Sequence, residues 1–188
     1  MIHANVTFDY TRAVTFSGNT FIRLGAAGLA LTIAKNDIVI GNKFQNISGD
    51  GLILGDVLNG NTQNPNLITS GNTISNNFIH NVAVEFEGGV GLFVGHAQDT
   101  MINNNEIANL PYDAISIGWA IGTVKPTVAK NNTVRANYIH DFMRVLQDGG
   151  GLYSLSAQPG NLYTRNFITL GSAHMTLGGA LYLDDHSR

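Results

Sequence analysis

Two recurrences and one compositional bias predict an all-β chain, a right-handed parallel β-helix (solenoid) of about six coils. The first recurrence is Asn, any residue, then Phe or Ile. It appears as "NTF" at Asn19, "NKF" at Asn42, "NFI" at Asn77, "NEI" at Asn105, "NYI" at Asn137 and "NFI" at Asn166. Successive copies are 23, 35, 28, 32 and 29 residues apart. The second recurrence is a small residue followed by a short alternating run: "GLAL", "GLIL", "GLFV", "AISI", "GLYS" and "ALYL". The runs start 9, 9, 14, 9, 14 and 14 residues after the Asn, so three coils share a five-residue insertion. The bias is toward glycine, 22 of 188 residues, with only 12% charged residues, which suits short strands separated by tight turns.

The runs supply the stacked core. Strands of adjacent coils lie about 4.8 Å apart, so equal offsets fall above one another. One inward column is then Leu29, Leu52, Leu92, Ile115, Leu152 and Leu181. The next, two residues on, is Leu31, Leu54, Val94, Ile117, Ser154 and Leu183, apolar at every position but one. The repeated Asn is read as a ladder of side-chain amides at a turn, each bonded to the next. Helical periodicity is weak throughout, which disfavours α-solenoids and βαβ units. One domain over residues 1–188 is expected, lacking one or both end caps, because neither end offers a capping helix.

Composition removes several functional classes. Net charge is −3 with no run of Lys or Arg, which gives no electrostatic footing to nucleic acid or an anionic membrane. With no cysteine there are no disulfides or thiolate metal sites. No metal or cofactor is expected. The opening "MIHANVTFDY" has neither the basic nor the apolar segment of a signal peptide, and no apolar run reaches membrane-spanning length. The open ends predict a piece of a longer solenoid, or a homo-oligomer that covers them.

Outward positions carry the candidate chemistry. Between the two core columns stand Ala30, Ile53, Phe93, Ser116, Tyr153 and Tyr182, and the later aromatics form a face on which sugar rings can stack. Four residues beyond the first core column come Ile33, Asp56, His96, Trp119, Ser156 and Asp185. On the other edge, before the strands, are Asp50, Glu87, Asp113 and Asp148. Two polar rows with aromatics between them describe a groove. Asp50 and Asp113 are read as ordinary turn acids. Asp148 differs, because it precedes three glycines within an insertion, where a bare backbone or positive φ is expected. Two pairings stay open. Glu87 and Asp148 lie two coils apart, roughly 10 Å, near the spacing of an inverting carboxylate pair. Asp148 and Asp185 lie one coil apart, and would suit a retaining pair if the insertion curls over the groove. His80 and His140 recur three residues after the repeat Asn and are read as structural.

The stretches "YDAISIGWAIG", "NYIHDFMRVLQDGGGLYSLSAQPGN" and "GGALYLDDHS" resemble β-helix proteins of the pectate-lyase-like superfamily. The resemblance is nearest to β-helix glycoside hydrolases of the family 141 and family 120 type, with xylanase, fucosidase and xylosidase activities. It covers roughly residues 98–188, and only the repeat is shared before that. It implies two carboxylates on the solenoid face, with the Asp of "DGGG" falling on Asp148 and the pair of "YLDD" on Asp184 and Asp185. It also implies a polysaccharide or oligosaccharide partner and a secreted or periplasmic location. The expected catalytic pair is Asp148 and Asp185; Glu87, His96, Trp119, Tyr153, Tyr182 and Asp184 are expected to bind substrate. The alternatives are a non-catalytic carbohydrate-binding or self-assembling solenoid and, third, a polysaccharide lyase. The groove positions contain no Arg or Lys to act as a lyase base.

Overall fold

The computed structural model describes residues 3–119, 125–169 and 177–187. These residues form a parallel β-helix, and every strand pairing is parallel. Three long sheets make its sides. One has seven strands, in the order Ala4–Asp9, Ala27–Thr32, Leu52–Leu54, Leu92–Val94, Ile115–Ile117, Gly149–Ser154 and Gly178–Leu183. The other two have six strands each, and a two-stranded sheet joins Thr69–Ser70 to Ala97–Gln98.

The columns expected from the repeat are the observed register. Leu29, Leu52, Leu92, Ile115, Leu152 and Leu181 pair in succession, with Val6 added ahead of them. The Ala4–Asp9 strand continues the same register, with Val6 and Phe8 ahead of Leu29 and Leu31. Side chains from all three long sheets meet in one continuous core that includes Leu29, Phe44, Ile79, Leu92, Ile107, Val134 and Ile139. Each inward residue there is covered by the coil above and the coil below.

The asparagine ladder is complete from Asn19 to Asn166. Each Nδ2 donates to the Oδ1 of the next Asn at 2.9–3.1 Å. The same Oδ1 atoms accept the backbone N–H of the preceding Asn. A second Nδ2 proton reaches a strand carbonyl, such as Ile74 O from Asn105. Asn42, Asn77, Asn105 and Asn137, the inner members of this row, therefore have their donors and acceptors paired while almost fully buried. A shorter ladder, Asn46–Asn81–Asn109, forms at another corner, and all three residues have φ near +50 to +60°. Asn tolerates that left-handed conformation better than most side chains, which is why it recurs at such corners.

The small residue opening each run has a steric cause. A Cβ on Gly91 would lie 2.6 Å from Ala114 O and 2.6 Å from Ile107 Cγ2. Gly51 meets Gly91 O and Ile79 in the same way. The backbone there passes so close to the next coil that only a small residue fits.

Candidate active site

The seven-stranded sheet carries the cleft. Its outward column runs Thr7, Ala30, Ile53, Phe93, Ser116, Tyr153 and Tyr182. Thr7 is exposed, and the next three members of this column are roofed. Ala30, Ile53 and Phe93 are buried in a small apolar cluster with Ala27 and Val90, and Val57 packs on it. The second half opens into a cleft of about 740 Å³, within the usual size of a small-molecule site. Its lining includes segment 86–90, Trp119, Leu155 and the acids Asp148, Asp184 and Asp185. Tyr112, Asp113, Ser116 and Tyr153 also line it.

The two insertions build the walls by leaving the strand register. Backbone bonds from Gly51 to Val90, Gly91 to Asp113 and Ala114 to Gly150 align Asp50, Val90, Asp113 and Gly150 as one row. The row inferred from sequence is thereby corrected. Glu87 and Asp148 do not stack on Asp50 and Asp113, because the insertions carry both to exposed positions at the rim of the cleft.

Of the two causes expected for the glycine triplet, bare backbone is the one observed. Positive φ falls on Asp148 itself, at 65°, and not on Gly149, Gly150 or Gly151. The glycines are required by close approach. A Cβ on Gly149 would collide with Asp113 Oδ1, and one on Gly150 would lie 2.7 Å from Gly179 O. The triplet wraps over the Asp113 carboxyl, and Gly150 N–H donates to Asp113 Oδ1 at 2.7 Å.

Asp113 is therefore more than a turn acid. It is 1% exposed yet contributes to the cleft lining. Burial pushes its pKa up to about 7; the Gly150 N–H opposes that shift, and the nearby Asp148 charge adds to it. Asp50 occupies the equivalent place two coils earlier, accepts from Val90 N–H at 2.7 Å, and is also raised by burial. Sequence reasoning missed Asp113 as a site residue, because an Asp before a strand gives no sign of how deeply the next coil will bury it.

Tyrosines hold the rim acids. Tyr153 Oη donates to Asp184 Oδ2 at 2.6 Å, and Tyr182 Oη donates to Asp148 Oδ1 at 3.1 Å. The two rings meet edge to face with centroids 5.7 Å apart. Tyr112 Oη donates to the Asp148 carbonyl at 2.8 Å, which anchors the insertion. Burial together with the surrounding Asp113, Asp148 and Asp184 charges pushes Tyr112 up to about 12, so it remains a donor. Tyr112 belongs to no repeated column, and in the sequence it appears only within a stretch that carries the family resemblance. Trp119 is 45% exposed and packs edge-on against Phe93, presenting part of its indole to the cleft.

Asp148, Asp184, Asp185, Glu87, Trp119 and Tyr153 thus lie on one cleft, and Tyr182 is tied to it through Asp148. His96 is the exception. It is buried, its ring lies against Gly60, and it is absent from the cleft lining. The loop after Leu54 folds over it, and the coil offset alone could not reveal that cover.

No family model and no curated protein matches the chain. Among solved structures, a glycoside hydrolase superposes with a TM-score of 0.91 at 28% identity, over 98% of this chain and 33% of its own. The A-module of the Azotobacter vinelandii mannuronan C-5 epimerase AlgE4 aligns at a TM-score of 0.46 and 17% identity, over 90% of this chain and 54% of its own. The chain spans about a third of the hydrolase's length. It is a parallel β-helix similar, over nearly all its residues, to part of a glycoside hydrolase.

Proposed function

We propose that the cleft hydrolyses glycosidic bonds in a polysaccharide or oligosaccharide. The observation that carries this reading is the contrast among its carboxyl groups. Asp113 lies on the cleft wall with its pKa raised to about 7, beside the solvent-facing Asp148 and near Asp184. Glycoside hydrolysis needs such a division, one carboxyl holding a proton for the leaving oxygen and another ionised as nucleophile or base. Asp113 takes the proton-holding role, a revision of the Asp148–Asp185 pair expected from sequence. Asp148, with Asp184 or Asp185, supplies the second carboxyl group, as nucleophile or base. Trp119 and Tyr153 offer ring faces for sugar stacking, and the similarity to a glycoside hydrolase supports the same chemistry.

The test is reducing-sugar release from a panel of xylans, fucosylated glycans, pectins and alginate. It compares wild type with Asp113→Asn, Asp148→Asn and Asp184→Asn. Turnover that falls in Asp113→Asn and Asp148→Asn while the fold survives is the expected result. Saturable glycan binding without turnover, unchanged in all three variants, would make the chain a carbohydrate-binding solenoid instead.

A further inference from the structure

We propose that His80, Glu106 and His140 form a binding site for a divalent transition ion, with Zn²⁺ the best fit. The site lies on a different sheet from the acidic cleft and is independent of the reaction proposed there. It is built by register. On the six-stranded sheet that includes Lys43–Ile47, Phe78–Val82, Glu106–Ala108 and Tyr138–His140, one outward column places His80, Ala108 and His140 on successive coils. The neighbouring outward column places Phe78, Glu106 and Tyr138 on the same coils.

Two coils separate the histidine backbones by about 9.6 Å. Their ring centroids are nevertheless only 5.7 Å apart. The rings lean together over Ala108, whose methyl leaves the space between them open, and Glu106 from the same middle coil reaches into that space. His80 Nε2 stands 3.1 Å from Glu106 Oε1, and His140 Nε2 stands 3.7 Å from the same oxygen. One ligand atom from each of the three residues falls within 4.8 Å of the other two. Ligands at 2.0–2.2 Å from a tetrahedral Zn²⁺ are roughly 3.4 Å from one another, a value these two distances bracket.

Hydrogen bonding independently identifies the vacant donor. His140 Nδ1 lies 2.8 Å from Asp141 Oδ2. A carboxylate only accepts, so Nδ1 carries the proton and the neutral ring presents its lone pair at Nε2. That Nε2 is buried and has no hydrogen-bond partner. It faces Glu106, another acceptor, so only a cation or an added proton satisfies both. The Asp141–His140 pair also has the form of the outer-sphere carboxylate that orients a metal-binding imidazole. Phe78 and Tyr138 stack on the two rings, at centroid distances of 3.8 and 4.4 Å, and limit their rotation. Two imidazoles and one carboxylate suit Zn²⁺ and leave a fourth position for water.

The test uses untagged, chelator-treated protein titrated calorimetrically with ZnCl₂, with Co²⁺ visible absorption as a second readout. The expected result is one ion per chain with micromolar or tighter affinity, and a tetrahedral Co²⁺ spectrum. His80→Ala and His140→Ala should each weaken binding at least tenfold. Ala108→Leu, which keeps all three ligands but fills the gap between the rings, should do the same and guards against a loss caused only by altered ligands. Circular dichroism checks the fold of each variant. No saturable binding by wild type would overturn the proposal and leave the trio as a hydrogen-bonded ladder. So would binding that is unchanged in the His80→Ala/His140→Ala double variant.

Discussion

Gly149 crosses Asp113 so closely that any side chain on it would strike the carboxyl, and the adjoining Gly150 N–H donates to Asp113 Oδ1 at 2.7 Å. The glycine triplet of one coil and the acid of the coil before it are thus a single unit. Gly149→Ala should force Asp113 or the insertion to shift, costing roughly 1–3 kcal/mol of stability. It should lower turnover more than Gly88→Ala, where a Cβ meets nothing within 4 Å. Thermal melts and initial rates on the two variants compare these effects directly.

The raised pKa of Asp113 has a definite sign for stability. Its folded value, about 7, lies above the ordinary carboxyl value of 3.8, so between those limits the folded state holds the extra proton. Stability from this group is therefore full below the lower value and lost as pH rises toward 7 and beyond. Asp50 is raised in the same direction and acts in the same sense. Asp113→Asn keeps an oxygen for the Gly150 N–H and has no charge to develop. The melting temperature of this variant should therefore gain on wild type as pH rises from about 5 to 8. A difference that is flat with pH would show that Asp113 is not held protonated.

The proposed hydrolysis carries the same signature. If Asp113 donates the proton, activity should decline with an apparent pKa near 7 on the alkaline side. Asp113→Asn should cost roughly 10²–10⁴-fold in rate, the usual worth of general acid catalysis. A pH–rate profile of wild type, with residual rates of the variant, tests both points.

Asn105 sits mid-ladder and is joined on both sides, to Asn77 and Asn137, as well as to Ile74 O. Asn105→Ala strands several buried donors and acceptors and should destabilise the chain by roughly 3 kcal/mol. Asn19, at the end of the ladder and more exposed, should cost under about 1 kcal/mol when changed to Ala. Urea unfolding of the two variants measures the gradient.

Trp119 supplies the exposed aromatic surface of one cleft wall. Trp119→Ala should raise KM for an oligosaccharide several-fold while changing kcat less, because stacking holds substrate and transition state alike. A fall in kcat alone would place Trp119 outside the binding path.

The stacking register was legible because it is periodic. Asn at each turn, a small residue at each close approach and aliphatic residues at two inward offsets repeat with every coil, and parallel pairing forces equal offsets into columns. Asp148 could be singled out because it stands in an insertion before three glycines and Asp185 because it falls in an outward column, whereas Asp184 came only from the family resemblance. The path of the insertions has no such periodicity, so only the tertiary structure moved Glu87 and Asp148 off the row of Asp50 and Asp113. It buried Asp113 beneath a backbone 37 residues later, and it covered His96 with the loop that contains Gly60. It also brought His80 and His140 together around Glu106, which depends on Ala108 being small on the coil between them. Local pattern determines which residues share a face. Burial and convergence across coils depend on side-chain size and loop path, which are set only when distant parts of the chain pack together.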